Sequence, residues 1–122
     1  LQVRPGEDIK EALLALAVRE GFRAACVLTC VGSITECSLR LANAEKGKSN
    51  PTMDVTGRHE IVSLVGTFSN DGCHLHTSLA DCAGKVVGGH LMGDMRVFTT
   101  AEIVVGECQD IVFARELDEC TG

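Results

Sequence analysis

The sequence predicts an α+β domain, a mainly antiparallel β-sheet of about six or seven strands behind one N-terminal amphipathic helix. Three features carry this prediction. Apolar residues recur at helical spacing only near the start of the chain, at Ile9, Ala12, Leu13, Leu16 and Ala17. From Ala24 onward they come in short runs or alternate with polar residues, bounded by Gly, Asn and Asp. The 122 residues, 45% hydrophobic and 23% charged, suit one folded domain over residues 1–122 and exclude wholesale disorder.

The elements follow in chain order. Pro5-Gly6-Glu7-Asp8 reads as a turn into the helix, with acidic side chains where the helix dipole favours them, and Gly21 supplies the stop. Ala24–Val31 is an apolar run suited to a buried strand, and Ser38–Ala42 alternates like a half-buried one. Residues 43–57, polar and holding Gly47 and Pro51, read as a loop. Glu60–Phe68 is the next strand, Asn70-Asp71-Gly72 a turn, and Cys73–Leu79 the strand after it. Asp81–Lys85 reads as a hairpin connection that returns through Val86–Leu91. Thr99–Val105 and Ile111–Ala114 complete the expected strands.

Charge and cysteine content exclude several functions. Eleven Lys and Arg stand against seventeen Asp and Glu, a net charge of −6, and the basic residues are scattered. With no Trp or Tyr to stack on bases, direct nucleic-acid binding is disfavoured. The seven cysteines contain no Cys-x-x-Cys pair, which removes zinc ribbons and thioredoxin-type redox motifs. Cys26 and Cys30 sit in apolar runs and read as small buried hydrophobes. No signal peptide or membrane-spanning apolar run is evident, so the expected setting is cytoplasmic, without membrane contact. Leu1 is not an initiator Met, which leaves open a targeting segment before it.

The histidines carry the chemical signal. His74 and His76 are two apart on an expected strand and so share a face. If the hairpin centres on Ala83, paired positions sum to 166 and His90 stands opposite His76. The three imidazoles then converge at spacings that suit metal–nitrogen bonds of about 2 Å. A sum of 165 sends His90 to the other face, and a bulge at Gly88-Gly89 would also move it. Neutral imidazole suits zinc and other late first-row divalent ions, and three ligands leave a coordination position open for water or a small ligand.

Other residues play smaller parts. Glu60 and Glu102 are candidate catalytic carboxylates, as general base or as partners orienting an imidazole. His59 reads as a surface residue, Asp81 as a turn former, and Met92 and Met95 as packing residues. No nucleophile elbow, Walker A loop or dinucleotide fingerprint is present.

Several segments together resemble one family: Arg4–Asp8, Ala24–Ser33, Leu39–Ala42, His59–Thr67, Gly72–His76 and Gly84–His90. In order and over nearly the whole chain they are similar to the plant-and-prokaryote-conserved (PPC) domain, known as single-domain prokaryotic proteins and within plant AT-hook proteins. The resemblance implies an α+β homotrimer in which His-x-His and Gly-Gly-His elements ligate a metal, usually zinc, at His74, His76 and His90. The chain lacks the Arg-Gly-Arg-Pro hook with which the plant proteins contact DNA, and His59 stands where the family usually has an aromatic. Expectation thus centres on a trimeric zinc-binding domain that binds a small ligand or performs metal-assisted hydrolysis or lyase chemistry. The alternative is a DNA-associated or transcription-related scaffold with a purely structural metal.

Overall fold

A computed structural model describes residues 1–43 and 45–120. The elements run β1 (Gln2–Val3), α1 (Ile9–Glu20), β2 (Ala25–Arg40), β3 (Thr52–Ser69), β4 (Gly72–Ala80) and β5 (Val86–Glu107). All strand pairings are antiparallel, in the order β1-β5-β2-β3-β4, and β5 also pairs with β4. The circuit β2-β3-β4-β5 therefore closes on itself. The α+β class and the N-terminal helix hold; the described residues form five strands rather than six or seven.

The lower count comes from length. Ala25–Val31 and Ser38–Arg40 lie in the continuous strand β2, because bulges absorb the polar stretch between them without breaking the ladder; the strand stops short of Leu41 and Ala42, which the alternating pattern includes. Val86–Leu91 and Thr99–Val105 are likewise one strand, β5. The expected loop over 43–57 is shorter, since β3 already begins at Thr52. Ile111–Ala114 is not a strand. Ala25, where β2 begins, is already paired on both sides, to Phe68 and Glu107, so the segment finds no free edge there. It is tied down instead by Phe113 N–H donating to the Arg23 carbonyl at 3.0 Å.

The helix begins where Asp8 caps it, its carboxylate accepting from Glu11 N–H at 3.0 Å. Gly21 ends it in the left-handed conformation, φ 68°, which costs glycine little. Ile9, Leu13 and Ala17 form its buried stripe and join Val3, Ile34, Leu39, Phe68, Leu75, Leu79, Met95 and Val97 in one core. Phe22 meets Phe68 edge-on at 6.3 Å. Met95 is fully buried as expected, whereas Met92 is exposed. Cys26 and Cys30 are half-buried, Cys37 is buried, and no described cysteine is in a disulfide. No helix among the described residues is long and apolar enough to cross a membrane.

Candidate metal centre

The β4–β5 hairpin sets the site. Asp81 closes its turn, its carboxylate accepting from Ala83 and Lys85 N–H at 2.9 Å each. The register is His76↔His90, Thr77↔Gly89, Ser78↔Gly88, Leu79↔Val87 and Ala80↔Val86. Every pair sums to 166, which puts His90 opposite His76. Leu75, Thr77 and Leu79 point into the core, so His74 and His76 share the outer face.

His90 lies where β5 changes partners. Towards the hairpin β5 pairs with β4, and beyond it with β2, so His90 is flanked by His76 on one side and Arg40 on the other. Two glycines let the backbones come this close. A Cβ on Gly88 would lie 2.6 Å from the Thr77 carbonyl oxygen, and one on Gly89 would lie 2.7 Å from that of Arg40. On the far side of β4, a Cβ on Gly66 would stand 2.0 Å from the His74 carbonyl oxygen.

The three rings form a near-equilateral triangle. Centroid separations are 5.2 Å for His74–His76, 5.0 Å for His74–His90 and 5.4 Å for His76–His90. One nitrogen from each lies within 4.8 Å of the others. Nitrogens around one tetrahedral zinc stand about 3.3 Å apart, so modest ring rotations bring this set to bonding distance. His74 and His76 are exposed and His90 is half-buried, so the centre opens to solvent on one side.

The donor set fits a metal on two further counts. His90 Nδ1 is buried without a hydrogen-bond partner, a condition that costs about 1–3 kcal/mol unless something satisfies it. His90 and His74 are also biased toward the neutral form that donates a lone pair. Burial, reinforced by the charges of Arg40, His74, His76 and Lys10, lowers the His90 pKa from 6.5 to about 4. Burial, then His76, Arg115 and Arg40, lower that of His74.

The carboxylates anticipated from sequence are not in this cluster. Glu60 pairs with Ala80, four residues beyond His76 along β4, about 13 Å of strand. Glu102 lies on β5 between Gln2 and Val31, twelve residues past His90. Both are exposed. His59 bonds locally, its Nδ1 2.9 Å from the Gly57 carbonyl oxygen. Sequence reasoning missed Arg40. Its link to His90 is a register match across fifty residues, which local spacing does not reveal.

The sequence profile of the Plants and Prokaryotes Conserved (PCC) domain matches residues 1–109. The chain belongs to this family. PCC is the domain that the sequence motifs resemble under the name PPC, and its match spans every helix and strand described above. Among curated relatives, the bifunctional protein GlmU of Synechococcus sp. (strain JA-2-3B'a(2-13)) is 38% identical over 128 residues, covering 100% of this chain and 18% of that protein. AT-hook motif nuclear-localized protein 13 of Arabidopsis thaliana is 37% identical over 116 residues, covering 87% of the chain and 25% of that protein. The chain thus spans between 18% and 25% of the length of these two relatives. Among solved structures, a hypothetical protein from Salmonella enterica superposes with a TM-score of 0.89 at 36% identity, over 98% of this chain and 83% of that one. A metal-containing protein from Archaeoglobus fulgidus gives a TM-score of 0.86 at 26% identity, over 100% and 86%.

Proposed function

We propose that this PCC domain is a metal-binding module that holds one divalent ion, zinc before others, on His74, His76 and His90 and presents it to a small ligand. The convergence of three outward-facing imidazoles, with no fourth His, Cys, Asp or Glu among the described residues in their cluster, carries the reading. A fully ligated structural ion needs four protein donors, whereas three leave room for an exchangeable ligand. The metal-containing Archaeoglobus relative supports it. When bound, such an ion supplies Lewis acidity toward an oxygen-bearing ligand. The imidazoles hold it, and the Gly88-Gly89 backbone keeps His90 in register with His76. The carboxylates stand too far away to assign a proton-transfer role, so ligand binding is the part of the function the geometry favours.

The proposal includes a trimer, the assembly implied by the family motifs. Leu28, Val31 and Val104 stand on neighbouring positions of β2 and β5 and are 64%, 59% and 54% exposed. Val62 and Val65 on β3 are similarly bare. Apolar side chains grouped on a sheet surface favour association. Competition between metal-stripped protein and a chromogenic chelator tests the centre: the wild type takes up one zinc per chain, and His76→Ala loses at least about a hundredfold in affinity. Light scattering on the same samples reads the assembly, with three chains expected. Zinc uptake unaffected by His76→Ala, or a monomer at micromolar concentration, contradicts the corresponding part.

A further inference from the structure

The cleft beside the metal centre has a chemical bias of its own. It encloses about 410 Å³, room for a small molecule, and is lined by Arg40, Asn43, His76, Gly88, Gly89 and His90 among others. Arg40 ends β2 as the direct antiparallel partner of His90, which pairs in turn with His76. Directly paired residues share a face with Cβ atoms about 5 Å apart, so guanidinium and two imidazoles form a row across three strands. Among the described residues, no carboxylate lies within salt-bridge distance of Arg40. That is notable in a chain with seventeen acids and eleven Lys and Arg.

Two more cations stand near the same row. Lys10 donates to the Met92 carbonyl at 2.8 Å, two residues beyond His90. Arg115 lies on the opposite flank, where its Nε would be 3.4 Å from a Cβ on Gly72, and it lines the neighbouring cleft with His74. The acidic surplus of the chain is absent from the Arg40 cleft, whose lining contains no Asp or Glu.

We infer that the ligand of this centre is a small oxyanion, a carboxylate or a phosphate, and that Arg40 is the residue that recognises it beside the metal. This rests on the metal-binding reading above. A guanidinium offers a planar fork of donors matched to two oxygens on one carbon or phosphorus, and it keeps its charge at every physiological pH. Arg40 is half-buried at the edge of the cleft, so its charge is less screened than that of an exposed arginine.

The test uses the full chain loaded with Co²⁺, whose visible absorption reports both metal uptake and changes around the ion. Inorganic phosphate and acetate are titrated separately at fixed ionic strength into wild type, Arg40→Gln, Arg40→Lys and, as a remote charge control, Arg58→Gln. The wild type and Arg58→Gln respond saturably to at least one anion. Arg40→Gln weakens that response by about tenfold or more while taking up Co²⁺ normally, and Arg40→Lys falls between. Whichever anion binds more tightly gives the class. Co²⁺ uptake with no anion response in the wild type, or equal anion affinity in Arg40→Gln, overturns the inference and leaves the metal centre standing. Failure to take up Co²⁺ overturns both.

Discussion

Replacing Gly66 with alanine tests whether the close approach of β3 to β4 is what seats His74. The new Cβ would lie 2.0 Å from the His74 carbonyl oxygen and 2.9 Å from Leu75 Cα, where non-bonded carbon atoms settle at about 3.5–4.0 Å. Gly66 also has φ +140°, a conformation that side-chain-bearing residues rarely adopt. Gly57, on the same strand, separates the two effects, with φ +95° and nothing within 4 Å of its would-be Cβ. Backbone strain of about 1–3 kcal/mol applies to both positions. Crowding adds about 1–3 kcal/mol at Gly66 alone. The expected losses are therefore about 1–3 kcal/mol for Gly57→Ala and about 2–6 kcal/mol for Gly66→Ala, the latter a large part of a typical domain's 5–15 kcal/mol. Urea unfolding of metal-free protein at one chain concentration measures both, read by circular dichroism because the chain has no Trp or Tyr. Zinc affinity falls in Gly66→Ala, whose β4 must shift at His74, and is kept in Gly57→Ala. Equal losses in the two variants, or Gly66→Ala within about 0.5 kcal/mol of wild type, would show that the close approach of β3 to β4 does not seat His74.

Two further outcomes follow from groups whose ionisation is shifted by partial burial. His90, at about 4 in the folded chain against its ordinary 6.5, stays neutral while the unfolded chain takes up a proton; His74 acts in the same direction. This stability is thus present above pH 6.5 and is lost as pH falls towards 4. The melting temperature of EDTA-treated protein drops across that window, and His90→Gln flattens the slope; an unchanged slope contradicts the assignment. Burial also lifts the thiols of Cys30 to about 11 and Cys37 to about 12. The exposed Cys82, Cys108 and Cys120 therefore react first with a disulfide reagent at pH 8, and mass mapping that finds Cys37 among the early adducts contradicts this.

The chemistry-bearing part of the fold was legible because it is local. A turn at Asp81–Lys85 and the two-residue period of a strand suffice to bring His76 opposite His90, and neither depends on the rest of the chain. The strand boundaries were less legible. Gly32 looks like a break, yet it keeps β2 continuous: a Cβ there would lie 2.3 Å from the Thr100 carbonyl oxygen, so its bareness admits β5. Ile111–Ala114 has a strand's composition, but a strand also needs an unpaired edge, which composition does not report. Arg40 was hidden for a related reason. Its register with His90 passes through several bulges between β2 and β5, and each shifts the count by an amount the sequence does not announce.

The central claim is that three histidines form one open metal site. A crystal structure with anomalous data collected on both sides of the zinc edge tests it most directly. One edge-dependent peak per chain is expected, bonded at about 2.0–2.1 Å to nitrogens of His74, His76 and His90, with no fourth protein ligand. A peak located elsewhere, a fourth side chain closing the coordination sphere, or three unliganded imidazoles in crystals grown with zinc would contradict it.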